Sequence, residues 1–190
     1  RKKIVGSIAD GKTREAIELL NEARFNVLDA LTEKDGFSFI AIGRPETAGC
    51  YCKVNAYLKE VIELVTNDFD YVVIDGEAGI EQINRRVMEK VSHLVLVTDA
   101  SRKGIQVINT IKNVADELVM YDEYGVIVNR LPAALKEEDV SLDREKLLCV
   151  IPDAPAQTKN DMLGESVFAL ADDSPLLTGA KTALEKLGLI

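Results

Sequence analysis

The sequence predicts an α/β fold, a doubly wound and mostly parallel sheet with helices on both faces, and three observations predict it. Five short, nearly continuous apolar runs recur: FSFIAIG from Phe37, YVVIDG from Tyr71, HLVLVTD from His93, YGVIVNR from Tyr124 and LLCVIP from Leu147. Runs rich in Val and Ile, without polar alternation, are the pattern of parallel strands covered on both faces. Amphipathic stretches with helical spacing lie between them. The residues just after each run are polar, and in open parallel sheets ligands gather at the carboxyl ends of the strands.

Taken in order, the first helical face joins Ala16, Leu20, Ala23, Val27 and Leu31, ahead of FSFIAIG. The run ends in GRPETAGCYC, and a second face follows on Val54, Leu58, Val61, Ile62 and Val65. FDYVVIDGEAGIE has the form of a buried strand that delivers an acid, Asp75, to its open end ahead of a glycine-bearing loop. After HLVLVTD and the loop TDASRKG, a third face carries Ile105, Ile108, Ile111, Ala115 and Leu118. YGVIVNR ends on Asn129 and Arg130, LLCVIP opens into PDAPA, and SPLLTGAKTALEKLG reads as a last helix with Pro175 in its first turn and Gly188 at its end.

The totals bound the function. A chain of 190 residues with 47% hydrophobic content buries a real core, and one domain spanning 1–190 is the natural expectation. Twenty-three basic residues against 32 acidic give −9, with no lysine-arginine cluster, which argues against nucleic acid and anionic membrane as partners. No apolar run approaches the ~20 residues that span a bilayer. The acidic balance and the odd count of three cysteines predict a cytoplasmic protein with reduced thiols.

Cys50 and Cys52 stand one residue apart in TAGCYCKVN. A disulfide between them would close a small, strained ring, and core packing suits one cysteine better than two on a glycine-flanked loop. Metal binding fits the spacing, but two thiolates are half of a tetrahedral set. Cys149, within LLCVIP, reads as core. Asp75 is either a magnesium-holding acid of phosphate-transfer chemistry or a cap on the following helix. The amide of Asn129 offers both a donor and an acceptor to a base edge. His93 reads as a surface or capping residue, Glu77 and Glu81 as solvated or helix-start acids, and Arg85 and Arg86 as surface charge or as reaching a partner's phosphate.

GRPETAGCYCKVN, then FDYVVIDGEAGIEQINRR, then VTDASRKGIQVINTI and GVIVNR, resemble the CooC-type accessory ATPases of nickel carbon monoxide dehydrogenase and acetyl-CoA synthase, relatives of MinD and of the nitrogenase iron protein. The resemblance covers roughly residues 20 to 155. It implies a P-loop NTPase-like fold and an ATP-dependent metallochaperone for nickel insertion. The implied cofactors are ATP or ADP with Mg2+, and the implied partners are a second copy in a homodimer and the dehydrogenase or synthase as client. Residue by residue, it gives Asp75 the catalytic metal-holding role of the Walker B aspartate and Asn129 the contact with the nucleotide base. Gly79, in the loop after Asp75, and Arg130, Pro152 and Asp153, at the same strand-end edge, are the further nucleotide-binding candidates read from the residues themselves. Cys50 and Cys52 become metal ligands, and a twofold axis beside their loop completes a four-thiolate site for Zn2+ or Ni2+.

The family opens with a strand and a glycine-rich phosphate loop, and the expectation here is that this N-terminal strand and Walker A segment are missing from a chain that begins at Arg1. GSIADGKT, from Gly6 to Thr13, satisfies G-x-x-x-x-G-K-[ST] literally. It lacks an interior glycine to wrap a phosphate, and Asp10 sets a carboxylate beside the anion, so it reads as a chance match, with a degenerate P-loop using Lys12 as the alternative. A non-hydrolysing metal-binding or scaffold protein that has lost the phosphate loop is the competing function.

Overall fold

The structure is a computed structural model that describes residues 25, 29, 31–34, 36–41, 69–76 and 90–190. The chain divides into two compact units, one drawn mainly from residues 1–78 and one mainly from residues 88–190.

The second unit is built on three parallel strands, β3 (Lys90–Thr98), β4 (Met120–Leu131) and β5 (Leu147–Pro152), in the order β3-β4-β5. The helix α1 (Arg102–Leu118) crosses from β3 to β4, α2 (Pro155–Leu163) follows β5, and α3 (Pro175–Lys186) comes last. Alternation along β4 sets the layers. Val126 and Val128 pack with Ile108 and Ile105 of α1, whereas Ile127 belongs with Leu148, Ile151 and Ala183 on the α3 side. Helices therefore cover both faces of a parallel sheet, the α/β architecture that the sequence predicts.

The helical expectations hold within this unit. Ile105, Ile108 and Ala115 are the buried stripe of α1. Ser174 caps α3 at the N–H of Leu177, Pro175 starts its first turn, and Gly188 leaves it at φ 66°. Lys186 reaches from the end of α3 to the carbonyl oxygen of Leu147, 3.0 Å away. At the strand starts, Lys112 and Lys146 both stand over the Tyr124 ring, and the Tyr121 hydroxyl bonds Asp116.

Two offsets break the β4–β5 ladder. From Val126 to Ile127 β4 advances one residue while β5 advances two, from Leu147 to Cys149, so Leu148 is an extra residue. From Val128 to Leu131 β4 advances three while β5 advances two, from Val150 to Pro152, so one extra residue lies at Asn129-Arg130. Such bulges re-aim side chains.

Two of the five apolar runs are not part of this sheet. Phe37–Phe39, the start of FSFIAIG, is β2 and pairs antiparallel with β1 (Thr32–Lys34), Lys34 opposite Phe37. The sequence between them is Asp-Gly, the dipeptide that turns a two-residue hairpin, and Gly36 has φ 87°. Tyr71–Gly76 has no regular secondary structure, and Val73 is 94% exposed. An apolar run becomes a strand only where a neighbour takes its backbone N–H and C=O groups. Of the first predicted helix, Phe25 and Asp29 are helical, and Leu31 is irregular chain ahead of β1. The second, on Val54 to Val65, lies outside the described residues.

Candidate functional site

Because β3, β4 and β5 are parallel, their carboxyl ends form one edge, and three loops meet there. After β3, Asp99 folds onto the start of α1. Its Oδ1 accepts from the Ser101 N–H at 2.9 Å and from the Ser101 hydroxyl at 2.6 Å. Ser101 Oγ in turn caps the helix by accepting from the Gly104 N–H at 2.9 Å. The two bonds from Ser101, hydroxyl first and backbone second, hold the Asp99 carboxyl below its ordinary range. Gly104 is the residue that lets this corner close, since a methyl there would come within 2.6 Å of the buried Thr98 hydroxyl and into Asp99 Oδ1. The first turn of α1 carries no acid, so its positive dipole end is not offset from within the helix.

At the end of β4, Arg130 adopts the left-handed region at φ 58°. Its own N–H donates to Asn129 Oδ1 at 2.9 Å. The next residue, buried Leu131, accepts from the Asp153 N–H at 2.8 Å and pairs with Pro152. The Arg130 guanidinium lies 3.8 Å from Asp161 on α2, with both side chains more than half exposed. Along one side of α2 is a recess of about 430 Å3, walled by Asp153, Pro155, Thr158, Lys159, Met162 and Leu163.

The structure thus gathers four of the residues singled out in the sequence, Asn129, Arg130, Pro152 and Asp153, at one corner of the sheet edge. With Arg130 bonded to its carbonyl oxygen, the Asn129 amide has a defined orientation, both of its N–H donors and one carbonyl lone pair remaining for a ligand. Asp75 lies in the first unit, exposed, on the irregular segment Tyr71–Gly76. Cys50, Cys52, Gly79 and the Gly6 to Thr13 segment lie outside the described residues, as do Glu77, Glu81, Arg85 and Arg86. His93 lies within β3, half-buried, with Nδ1 3.0 Å from Ser92 Oγ. Cys149 is buried, as its apolar run predicts, and burial pushes its thiol up. Among the described residues no group of three or more His, Cys, Asp and Glu could hold a metal ion, and no helix is long and apolar enough to cross a membrane.

Sequence reasoning missed the Asp99-Ser101-Gly104 corner and the helix α2. Ser followed three residues later by Gly carries no capping-box signature. Pro155 at the first helical position is the signal for α2, which is short and without a buried residue.

No family model matches the chain. It is 30% identical over 172 residues to the uncharacterized ATP-binding protein MJ0685 of Methanocaldococcus jannaschii, an alignment covering 88% of this chain and 68% of that protein. A second protein of that organism, the uncharacterized ATP-binding protein MJ0084, is 28% identical over 166 residues, 84% of this chain and 65% of its own length. The carbon monoxide dehydrogenase accessory protein CooC of Rhodospirillum rubrum is 28% identical over 137 residues, 65% of this chain and 48% of its own length. The aligned parts thus range from about half to two thirds of these relatives. With its parallel sheet, two-sided helical cover and these relatives, the chain belongs to the CooC/MinD-like ATP-binding family, of P-loop NTPase-like α/β fold, that includes MJ0685.

Proposed function

We propose that this chain works as an ATP-dependent metallochaperone that delivers nickel to a carbon monoxide dehydrogenase or acetyl-CoA synthase, with a metal site shared by two copies. The observation that carries the reading is the C-x-C pair, Cys50 and Cys52, in a chain related to an accessory protein of carbon monoxide dehydrogenase. One chain offers two adjacent thiols, whereas a four-coordinate site needs four ligands, so an isologous contact between two copies supplies the rest. Metal held in this way is released when the subunits part, which makes the nucleotide-controlled dimer the delivery step.

The nucleotide's base end belongs at Asn129, Pro152 and Asp153, supported by the oriented Asn129 amide and by the recess beside Asp153. Asp75 would hold Mg2+, directly or through water, and the Gly79 N–H would meet the terminal phosphate.

The test is metal titration of the reduced chain, read by sedimentation. One Ni2+ or Zn2+ per two chains is expected, with a shift to dimer that weakens as pH falls and the thiolates reprotonate. Cys50→Ser with Cys52→Ser should abolish both. One tightly held ion per monomer, without a shift to dimer, refutes the shared site.

A further inference from the structure

We infer that Arg130 acts as a positioning residue through its backbone: the left-handed bulge it forms aims the Asn129 amide and ties the end of β4 to the loop between β5 and α2. The inference rests on the proposed reading of Asn129 as the base-contacting residue, and it assigns to Arg130 a role other than contact with the ligand.

Four observations converge on it. The ladder gains one residue in β4 at Asn129-Arg130. Arg130 is the one described non-glycine residue with positive φ, at 58°, a conformation that is costly for an L-residue with a Cβ. Two hydrogen bonds flank the bulge: the Arg130 N–H donates to Asn129 Oδ1 at 2.9 Å, and the Asp153 N–H donates to the oxygen of the next residue, Leu131, at 2.8 Å. Its guanidinium meanwhile extends over the surface toward Asp161.

Without the bulge, regular pairing would continue from Val128, and Leu131, buried in the cluster with Ile105 and Val128, would move to the other face of the sheet. The packing of Leu131 and the register that sets Asn129 beside the Pro152-Asp153 loop therefore depend on the same bulge. What the site requires at position 130 is a residue that tolerates the left-handed region, and the arginine side chain is secondary.

The test uses the full chain with four substitutions. Arg130→Gly and Arg130→Asn tolerate positive φ, whereas Arg130→Val and Arg130→Ile resist it because they are β-branched. Native-state exchange of the Asp153 amide, read by NMR without nucleotide, should stay within about threefold of the parent in the Gly and Asn variants and quicken by about tenfold or more in the Val and Ile variants. Titration with MgADP should follow the same order, Gly and Asn near the parent and Val and Ile at least tenfold weaker.

If the Gly and Asn variants bind as weakly as the Val variant, the guanidinium contacts the ligand and the proposal falls. If Asp153 exchanges alike in the Val variant and the parent, the tie is absent and the proposal falls. A parent that binds no MgADP sinks the proposed nucleotide site of this chain as a whole and with it the aiming role, while the exchange series separately decides the tie between the loops. Should the Val and Ile variants fail to fold, the Gly and Asn variants still decide between backbone and guanidinium.

Discussion

Gly125→Ala is expected to destabilise the second unit by about 1 to 3 kcal/mol, because the added methyl has no room. Built on the β4 backbone, it would lie 2.6 Å from both Cδ atoms of Leu148 and closer still to Cγ. Leu148 is the extra residue of the β5 bulge, and it is held among Ile151, Ala183, Ile127, Leu176 and Leu187. Release of glycine's backbone entropy returns roughly 0.5 to 1 kcal/mol, less than the overpacking takes. Leu148→Ala alone should cost about 2 to 5 kcal/mol by leaving a cavity. In the double variant the methyl added at position 125 occupies part of that cavity, so the combined loss should fall short of the sum by at least about 1 kcal/mol. Native-state exchange of the Val126 and Val128 amides reads the opening free energy of this unit separately from the other. Additivity within about 0.5 kcal/mol, or a Gly125→Ala variant as stable as the parent, would refute the claim that the bulged leucine fills the space left by the glycine.

Ser101→Ala should cost about 1 kcal/mol by uncapping α1, and in an NMR titration it should move the Asp99 midpoint up toward the ordinary value of about 3.9. In the parent that carboxyl is held below its unfolded value, so its stabilising share is present at neutral pH and is lost as pH falls through the folded midpoint. An unchanged midpoint would remove Ser101 as the cause. Cys149 has the opposite sign. Burial raises its pKa while Lys186 partly opposes the shift, so its share of stability is complete below the unfolded value of about 8.5 and is lost as pH rises through the folded one. Iodoacetamide at pH 8 should therefore label Cys149 far more slowly in the native chain than in urea, and equal rates would contradict its burial.

The three runs from His93, Tyr124 and Leu147 were legible because they are long enough, and supplied with enough crossover chain, to pair with one another. The run from Phe37 carried a competing local signal, the Asp-Gly dipeptide before it, and a two-residue turn closes more cheaply than a distant parallel pairing. Tyr71–Ile74 has the same composition as the true strands, and composition does not say which neighbour completes a ladder. The bulges at Leu148 and at Asn129-Arg130 were invisible because a one-residue offset leaves hydrophobic content unchanged. Asn129, Arg130, Pro152 and Asp153 could be found because parallel strands bring all their carboxyl ends to one edge. The bond that orients Asn129 could not, since it joins a side chain to the next N–H inside a bulge that the sequence does not signal.

The order β3-β4-β5 has a consequence for how the molecule acquires its structure. Each strand pairs with the next one along the chain, Leu94 with Tyr124 and Val126 with Leu147, separations of 30 and 21 residues. Each crossover must close before its pairing is rewarded, which makes parallel sheets slow to form. The three strands are therefore expected to order together in a late step, after α1 has formed locally. In pulse-labelling experiments the amides at Val126 and Val128 should gain protection together, in one kinetic phase.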